Sequence, residues 1–272
     1  ENTFYLDINN LDLFLSELLV LDKIMILIRS DEVVHEKIVK IKDLVLKKNQ
    51  ILINQEGAQI LLLDYDSNSK PLHLFYEQKI HAGKSLKSFQ IFDKYGDSFI
   101  KIYLKGKSSG EFTEIGHKYK KKYNYELQKI DSQSTLDKSK LKPVHFISSQ
   151  VTYSEINRKP LEENLLRKIL SKSSEGKIYV QIHVFGKNTI QYHVGLVKNI
   201  VDFGPWINII DKEFNLHAIE PGIVRTDVVG WLSGNTKYCS VEFYNKDSMQ
   251  LLSIVPLSKS VDAFDKIIKS VI

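Results

Sequence analysis

Apolar and polar residues alternate through "KIMILIRSDEVVHEKIVKI" (23–41) and again through "KIYVQIHVFGKNTIQYHVGLVKNI" (177–200). A period of two predicts strands with one buried face. Each block reads as a strand, a turn and a second strand ending at a histidine, His35 or His193. A second pair of blocks, "SFQIFDKYGDSFIKIYL" (88–104) and "SVEFYNKDSMQLLSIV" (240–255), reads as two hairpins, each with a polar turn between alternating strands. The order and spacing of the blocks agree between the halves. The chain therefore reads as two copies of one β-rich unit.

Helical periodicity brackets the copies. "NNLDLFLSELLVLD" sets Leu11, Phe14, Leu15, Leu18 and Leu19 on one face, with Asn10 as the N-cap. "KPLEENLLRKILSKSSEG" does the same with Leu161, Leu165, Ile169 and Leu170. There Pro160 suits the first turn, Glu162 and Glu163 the positive end, and Gly176 the stop. "VDAFDKIIKSVI" predicts a closing helix. Between the copies, 117–143 is polar, basic and weakly periodic. Lys118, Lys120, Lys121 and Lys122 interleave with Tyr119 and Tyr123, a pattern open to base stacking but better read as a solvated linker. The expected division is an N-terminal repeat over 1–116, a basic linker over 117–143 and a C-terminal repeat over 144–272.

Composition narrows the chemistry. The chain has 272 residues, 43% of them hydrophobic, and a formal net charge of +5. That balance favours small acidic ligands over nucleic acid. A single cysteine, Cys239, rules out an internal disulfide and fits a reducing compartment. No cysteine–histidine cluster suggests a structural zinc. The apolar run 11–28 is broken by Asp12, Glu17, Asp22 and Lys23, so no membrane insertion is expected there. No signal peptide is visible and a cytoplasmic location is expected. Because the chain starts at Glu1, a preceding segment stays open. No nucleophile–base pair, phosphate loop or paired-carboxylate motif points to a hydrolase or kinase.

Several stretches resemble the bacterial cytosolic hemin-degrading and haem-transport family of the HemS type. In the second half these are Gly186-Lys187-Asn188, Ile190-Gln191-Tyr192-His193, Gly204-Pro205-Trp206-Ile207-Asn208-Ile209-Ile210-Asp211 and Phe214-Asn215-Leu216-His217. In the first half they are "KIMILIRSDEVVHEK" and "SFQIFDKYGDSFIKIYL". The resemblance implies an α+β fold: a tandem duplication of a unit with a large antiparallel β-sheet flanked by helices, and a haem cleft between the halves. It implies haem binding, with trafficking or degradation of imported haem for iron acquisition, leaving open whether the ring is cleaved. Haem is the implied cofactor, and the cytoplasmic side of a haem importer or a reductase the implied partner. The alternative is a non-enzymatic scaffold of the same fold that binds another apolar anion or a protein.

Haem needs an axial ligand, an apolar slot and cations for two propionates. Of the eight histidines, His35, His193 and His217 fall in framework strands and read as packing. The family's ligand lies between the repeats, and its nearest counterpart is His145 in "KPVHFISSQ", with His117 as the fallback. The family's distal arginine position carries Gln59, which supplies no cation. A glutamine and an arginine expected near the C-terminus are replaced within "LLSIVPLSKS". That leaves Lys259 and Arg225 as the candidate cations. In "FGPWINIIDKEFNLHA" (203–218), Trp206, Ile207, Ile209 and Phe214 read as core. Asn208 and Asn215 read there as satisfying backbone groups.

Overall fold

The structure, a computed structural model, describes residues 2–8, 11–40, 43–47, 50–55, 58–63, 73–93, 96–121, 154–186 and 189–272. The N-terminal half contributes β1 (Asn2–Leu6), α1 (Leu11–Glu17), β2 (Ile24–Arg29), β3 (Val33–Val39), β4 (Asp43–Lys47), β5 (Gln50–Gln55), β6 (Ala58–Leu63), β7 (His73–His81), β8 (Lys84–Phe92), β9 (Ser98–Leu104) and α2 (Ser109–Lys118). The C-terminal half contributes β10 (Ser154–Leu161), α3 (Leu166–Glu175), β11 (Val180–Phe185), β12 (Thr189–Gly195), β13 (Ile200–Phe203), β14 (Trp206–Ile210), β15 (Phe214–Ile219), β16 (Arg225–Ser233), β17 (Thr236–Tyr244), β18 (Gln250–Pro256) and α4 (Val261–Val271). The order of elements repeats, as the paired sequence blocks predict.

Two compact units form. The first holds the described residues of Glu1–Arg29, Glu36–Leu136 and Gly186–Gln191; the second holds those of Ser30–His35, Asp137–Phe185 and Tyr192–Ile272. Each unit thus takes a short segment from the other half of the sequence.

The first unit contains a five-stranded antiparallel sheet in the order β1-β7-β8-β9-β2. One face of that sheet is apolar and carries the helices. Phe14 of α1 meets Phe89 edge-on at 5.1 Å, and Phe112 of α2 stacks on Phe89 at 4.2 Å. Burying each such ring contributes roughly 1.5–3 kcal/mol. Gly116 lets α2 approach closely, since a Cβ there would lie 2.6 Å from Cδ2 of Tyr76. A four-stranded run, β4-β5-β6 and then residues 189–191 of β12, completes the unit.

The second unit repeats the plan as β10-β16-β17-β18-β11, with β13-β14-β15 as a separate antiparallel run. α3 buries Leu166, Ile169 and Leu170, and α4 buries Phe264 and Ile268. Thr226 joins α3 to the sheet: its hydroxyl donates to the Glu163 carbonyl at 2.7 Å and accepts the Leu165 amide at 3.1 Å.

Three local readings change. α3 starts at Leu166 rather than at Pro160, because Pro160 and Leu161 belong to β10. Proline is tolerated in strands whose N–H is not needed, and the helix instead opens with Asn164 Oδ1 accepting the Leu166 amide at 2.9 Å. Residues 109–118 form α2, and the chain beyond it folds back. Tyr119 donates to Glu17 at 2.6 Å and packs edge-on against Phe14, so residues 117–121 are part of the first unit and not linker. Finally, His35 and His193 are not equivalent. In each copy the first turn amide bonds three residues on, Ser30 to Val33 and Gly186 to Thr189. This register matches His35 with Gln191, and Lys37 with His193. Asn10 and most of the expected linker lie outside the described residues.

Candidate functional site

In both five-stranded sheets the face away from the helices carries the chemistry. The hairpins β7–β8 and β16–β17 share one register, His81 facing Lys84 and Ser233 facing Thr236, an offset of 152 residues (236 − 84). Positions in the two sheets can therefore be compared one by one.

In the second unit that face is a buried polar row. Asp227 of β16 sits opposite Glu242 of β17, Glu242 opposite Ser253 of β18, and Ser253 opposite His183 of β11. All four are buried. Arg158 reaches in from β10, donating to Asp227 at 2.7 Å, to Glu242 at 2.8 Å and to Glu155 at 3.0 Å. Two carboxylates taken out of water need such a partner. Arg158 is held even more firmly protonated than an ordinary guanidinium: burial opposes its charge, but the Glu155 and Glu242 contacts outweigh it. The Tyr244 hydroxyl donates to Glu242 at 2.5 Å, and burial foremost holds it protonated. His183 lies at the end of the row, with Nδ1 3.2 Å from Ser253 Oγ and its ring edge-on to Tyr192. Burial pushes its pKa down to about 3, so it is neutral.

In the first unit the matching positions hold different residues. Phe75 stands for Asp227, Gln90 for Glu242, Lys101 for Ser253 and Leu27 for His183. Tyr5 packs on Phe75 at 4.3 Å, and Phe75 meets Phe92 edge-on at 5.7 Å. These three rings are half-buried. Beside them Lys101 Nζ lies 5.8 Å from the Phe92 ring centre. Burial foremost, then Arg29, lowers its pKa, Glu77 opposing and Lys79 adding. Glu77 pairs with Lys79 at 3.2 Å and accepts from Gln90 at 2.8 Å.

The sequence candidates are distributed as follows. His145 lies outside the described residues, and so does the side chain of Gln59, whose backbone pairs with Asn54. His117 ends α2, exposed, its ring 5.4 Å from Phe4. Arg225 stacks over Tyr244 at 4.2 Å and pairs with Asp227 at 3.0 Å. Lys259 stands 3.4 Å from the ring centre of Tyr179. Arg225 is level with Tyr244 and Gln250 at one end of β18, and Lys259 follows its other end. At ~3.3 Å per residue they are about 20 Å apart along the strand, so the structure does not bring them together. The framework histidines do pack: His193 stacks on Phe214 at 4.0 Å, His35 meets the same ring edge-on, and His217 Nδ1 is 2.7 Å from Asn208 Oδ1. Asn208 also donates to the Val201 carbonyl. Ile207, Ile209 and Phe214 are core, while Trp206 is half-buried across from the exposed Phe203. Arg158, Asp227 and Glu242 carry no motif that would have revealed them in the sequence.

A duplicated unit with one helix-covered and one polar sheet face defines a class, and comparison with known proteins places the chain within it. A family model described as the haemin-degrading HemS.ChuX domain matches residues 2–119 and again 152–270. The chain belongs to that family. The hemin transport protein HmuS of Yersinia pestis is 23% identical over 94 residues, a match covering 35% of this chain and only 27% of that protein. Among solved structures, ChuS, an E. coli heme oxygenase, superposes with a TM-score of 0.80 at 17% identity, over 100% of this chain and 89% of that one. The holo form of PhuS, a heme-binding protein from Pseudomonas aeruginosa, gives 0.80 at 18% identity, over 100% and 87%. At these identities the likenesses establish the fold. Among the described residues, no helix is long and apolar enough to cross a membrane, and no cluster of side chains forms a metal site.

Proposed function

We propose that this protein binds haem and passes it on or breaks it down after uptake, in the cytoplasm, as a step in iron acquisition. The observation that carries this reading is the family match over both halves of the chain. When bound, haem supplies redox-active iron. The chain's part is to hold the ring, to present a neutral nitrogen and to keep water away. His145 is the proposed axial ligand, and a haem importer or a reductase the proposed partner. Arg225 and Lys259 remain the sequence-derived candidates for propionate contact, although each already has a partner in the fold.

The test is the absorption spectrum of the purified protein with one equivalent of hemin. A Soret band that moves and saturates is the expected result, and no binding by the unmutated protein sinks the reading. His145→Ala should shift the band and weaken binding with the fold intact; an unchanged spectrum moves attention to His117. Under reductant and O₂, loss of the Soret band with release of iron marks breakdown, and a persistent band marks carriage.

A further inference from the structure

We propose that one edge of the first unit's five-stranded sheet, the edge formed by the β7–β8 turn, docks on an anionic lipid surface, with Ile80 at its tip and lysines around it. This concerns where the protein stands and does not rest on the haem reading. Three observations support it.

The first is where charge collects. Ser88 faces Tyr103 and Ile24 faces Leu104, so the β7–β8 turn, the end of β9 and the start of β2 share one edge of the sheet. That edge carries Lys23, Lys79, Lys84, Lys87, Lys105 and Lys107. At ~4.8 Å between strands it is about 15 Å wide. Lys23, Lys84, Lys105 and Lys107 are exposed. Lys79 pairs with Glu77 at 3.2 Å, and Lys87 donates to the neutral hydroxyls of Ser109 and Thr113 at 2.7 and 2.6 Å. Asp22, Glu77 and Glu111, the carboxylates on the same edge, do not balance these lysines.

The second is the apolar tip. Ala82 and Gly83, with φ of 47° and 74°, form a two-residue turn between His81 and Lys84. Residues 80–85 are all exposed, and a Cβ on Gly83 would meet nothing within 4 Å. Ile80 is 64% exposed. An apolar side chain on a convex turn ringed by lysines suits the boundary between anionic headgroups and acyl chains. Protein interfaces deplete lysine and favour arginine and aromatic residues, and this edge holds no arginine.

The third is the contrast with the second unit. There Tyr179 stands for Lys23, Trp231 for Lys79, Thr236 for Lys84, Cys239 for Lys87 and Leu257 for Lys105. Lys107 alone has a basic counterpart, Lys259. Leu232, which matches Ile80, is half-buried. The shared fold therefore does not require these lysines or the exposed isoleucine.

The test is co-sedimentation of the full chain, without hemin, with vesicles of phosphatidylcholine containing about a quarter phosphatidylglycerol and with vesicles of phosphatidylcholine alone. Binding to the charged vesicles only, weakening as salt rises, is expected. Each lysine lost should weaken it about fivefold, so Lys84→Gln with Lys105→Gln should weaken it about 25-fold. Ile80→Ser should weaken it about fivefold and leave its salt dependence unchanged, because apolar contact is lost and no charge. Lys212→Gln with Lys246→Gln, the same charge loss on exposed turns of the second unit, should change binding by less than about twofold. The proposal is overturned if the unmutated chain ignores the charged vesicles, if it binds both kinds equally, or if binding survives Lys84→Gln with Lys105→Gln. Capture of poly-glutamate at these lysines by a chain that ignores the vesicles also overturns it, in favour of an acidic protein partner. Because hemin is absent, the outcome is independent of the haem titration above.

Discussion

The two sheet faces share a backbone register and hold opposite chemistry. In the second unit a charged row is closed upon itself: Asp227 and Glu242 are buried, and Arg158 spends its donors on them. In the first unit Phe75 and Gln90 stand in place of Asp227 and Glu242, and Lys101, in place of Ser253, has no carboxylate ion pair among the described residues. A duplicated fold keeps the hydrogen-bonded ladder and the helix-facing core, because both are needed to fold. The face turned away from the helices is freer to diverge, provided that any charge it buries is paired. A closed row stabilises the fold or fixes register.

The largest effect that would break this comparison is on Arg158. Arg158→Ala leaves the buried Glu242 without its cation and Asp227 with Arg225 alone, and removal of one partner from such a cluster costs on the order of 3 kcal/mol. The matching position in the first repeat is Thr3, which is exposed. Thr3→Ala should cost less than about 0.5 kcal/mol. Urea unfolding of both variants measures the difference, and equal midpoints would remove the claim that the second row is closed by Arg158.

His183 sharpens the contrast through pH. Its folded pKa is pushed down to about 3, against ~6.5 unfolded. Below the unfolded value the denatured chain takes up a proton that the native chain refuses, so stability falls as pH drops from about 6.5 toward 3. Between pH 7 and 5 this amounts to about 2 kcal/mol. His183→Leu, which installs the residue of the matching first-unit position, Leu27, should remove that part of the pH slope. Unfolding curves at the two pH values check it, and a slope unchanged in the variant would place the titration elsewhere.

The duplication was legible in the sequence because strand alternation and turn residues are local signals. They paired 88–104 with 240–255 as whole hairpins. They did not fix His35 against His193, because a two-residue slip keeps the same side chains on the same face. α2 was missed because "SGEFTEIGHK" buries only Phe112, Ile115 and Gly116 along ten residues, too few for a clear helical stripe. The closed row was invisible for a different reason. Arg158 meets Asp227 and Glu242 from 69 and 84 residues away, and no local spacing announces such a contact. The candidate cations were chosen by nearness to family motifs, which says nothing of whether their charge is already used. Arg225 and Lys259 proved to lie at opposite ends of one strand.

The smallest effect concerns Arg225, whose counterpart in the first repeat is His73. Its guanidinium lies 4.2 Å from the Tyr244 ring centre and 3.0 Å from Asp227. Arg225→His removes both contacts, yet Asp227 is not stranded, because Arg158 still donates to it at 2.7 Å. The loss is therefore that of a part-exposed cation–π contact and one ion pair, about 1 kcal/mol. It should shrink in high salt, since screening weakens a part-exposed pair. The Arg158→Ala loss should change less, because its carboxylates are buried. Measuring both variants in urea at low and high salt tests that ordering. If Arg225→His proved as costly as Arg158→Ala, the row would be held by two arginines equally, and Arg225 would be unavailable to any ligand.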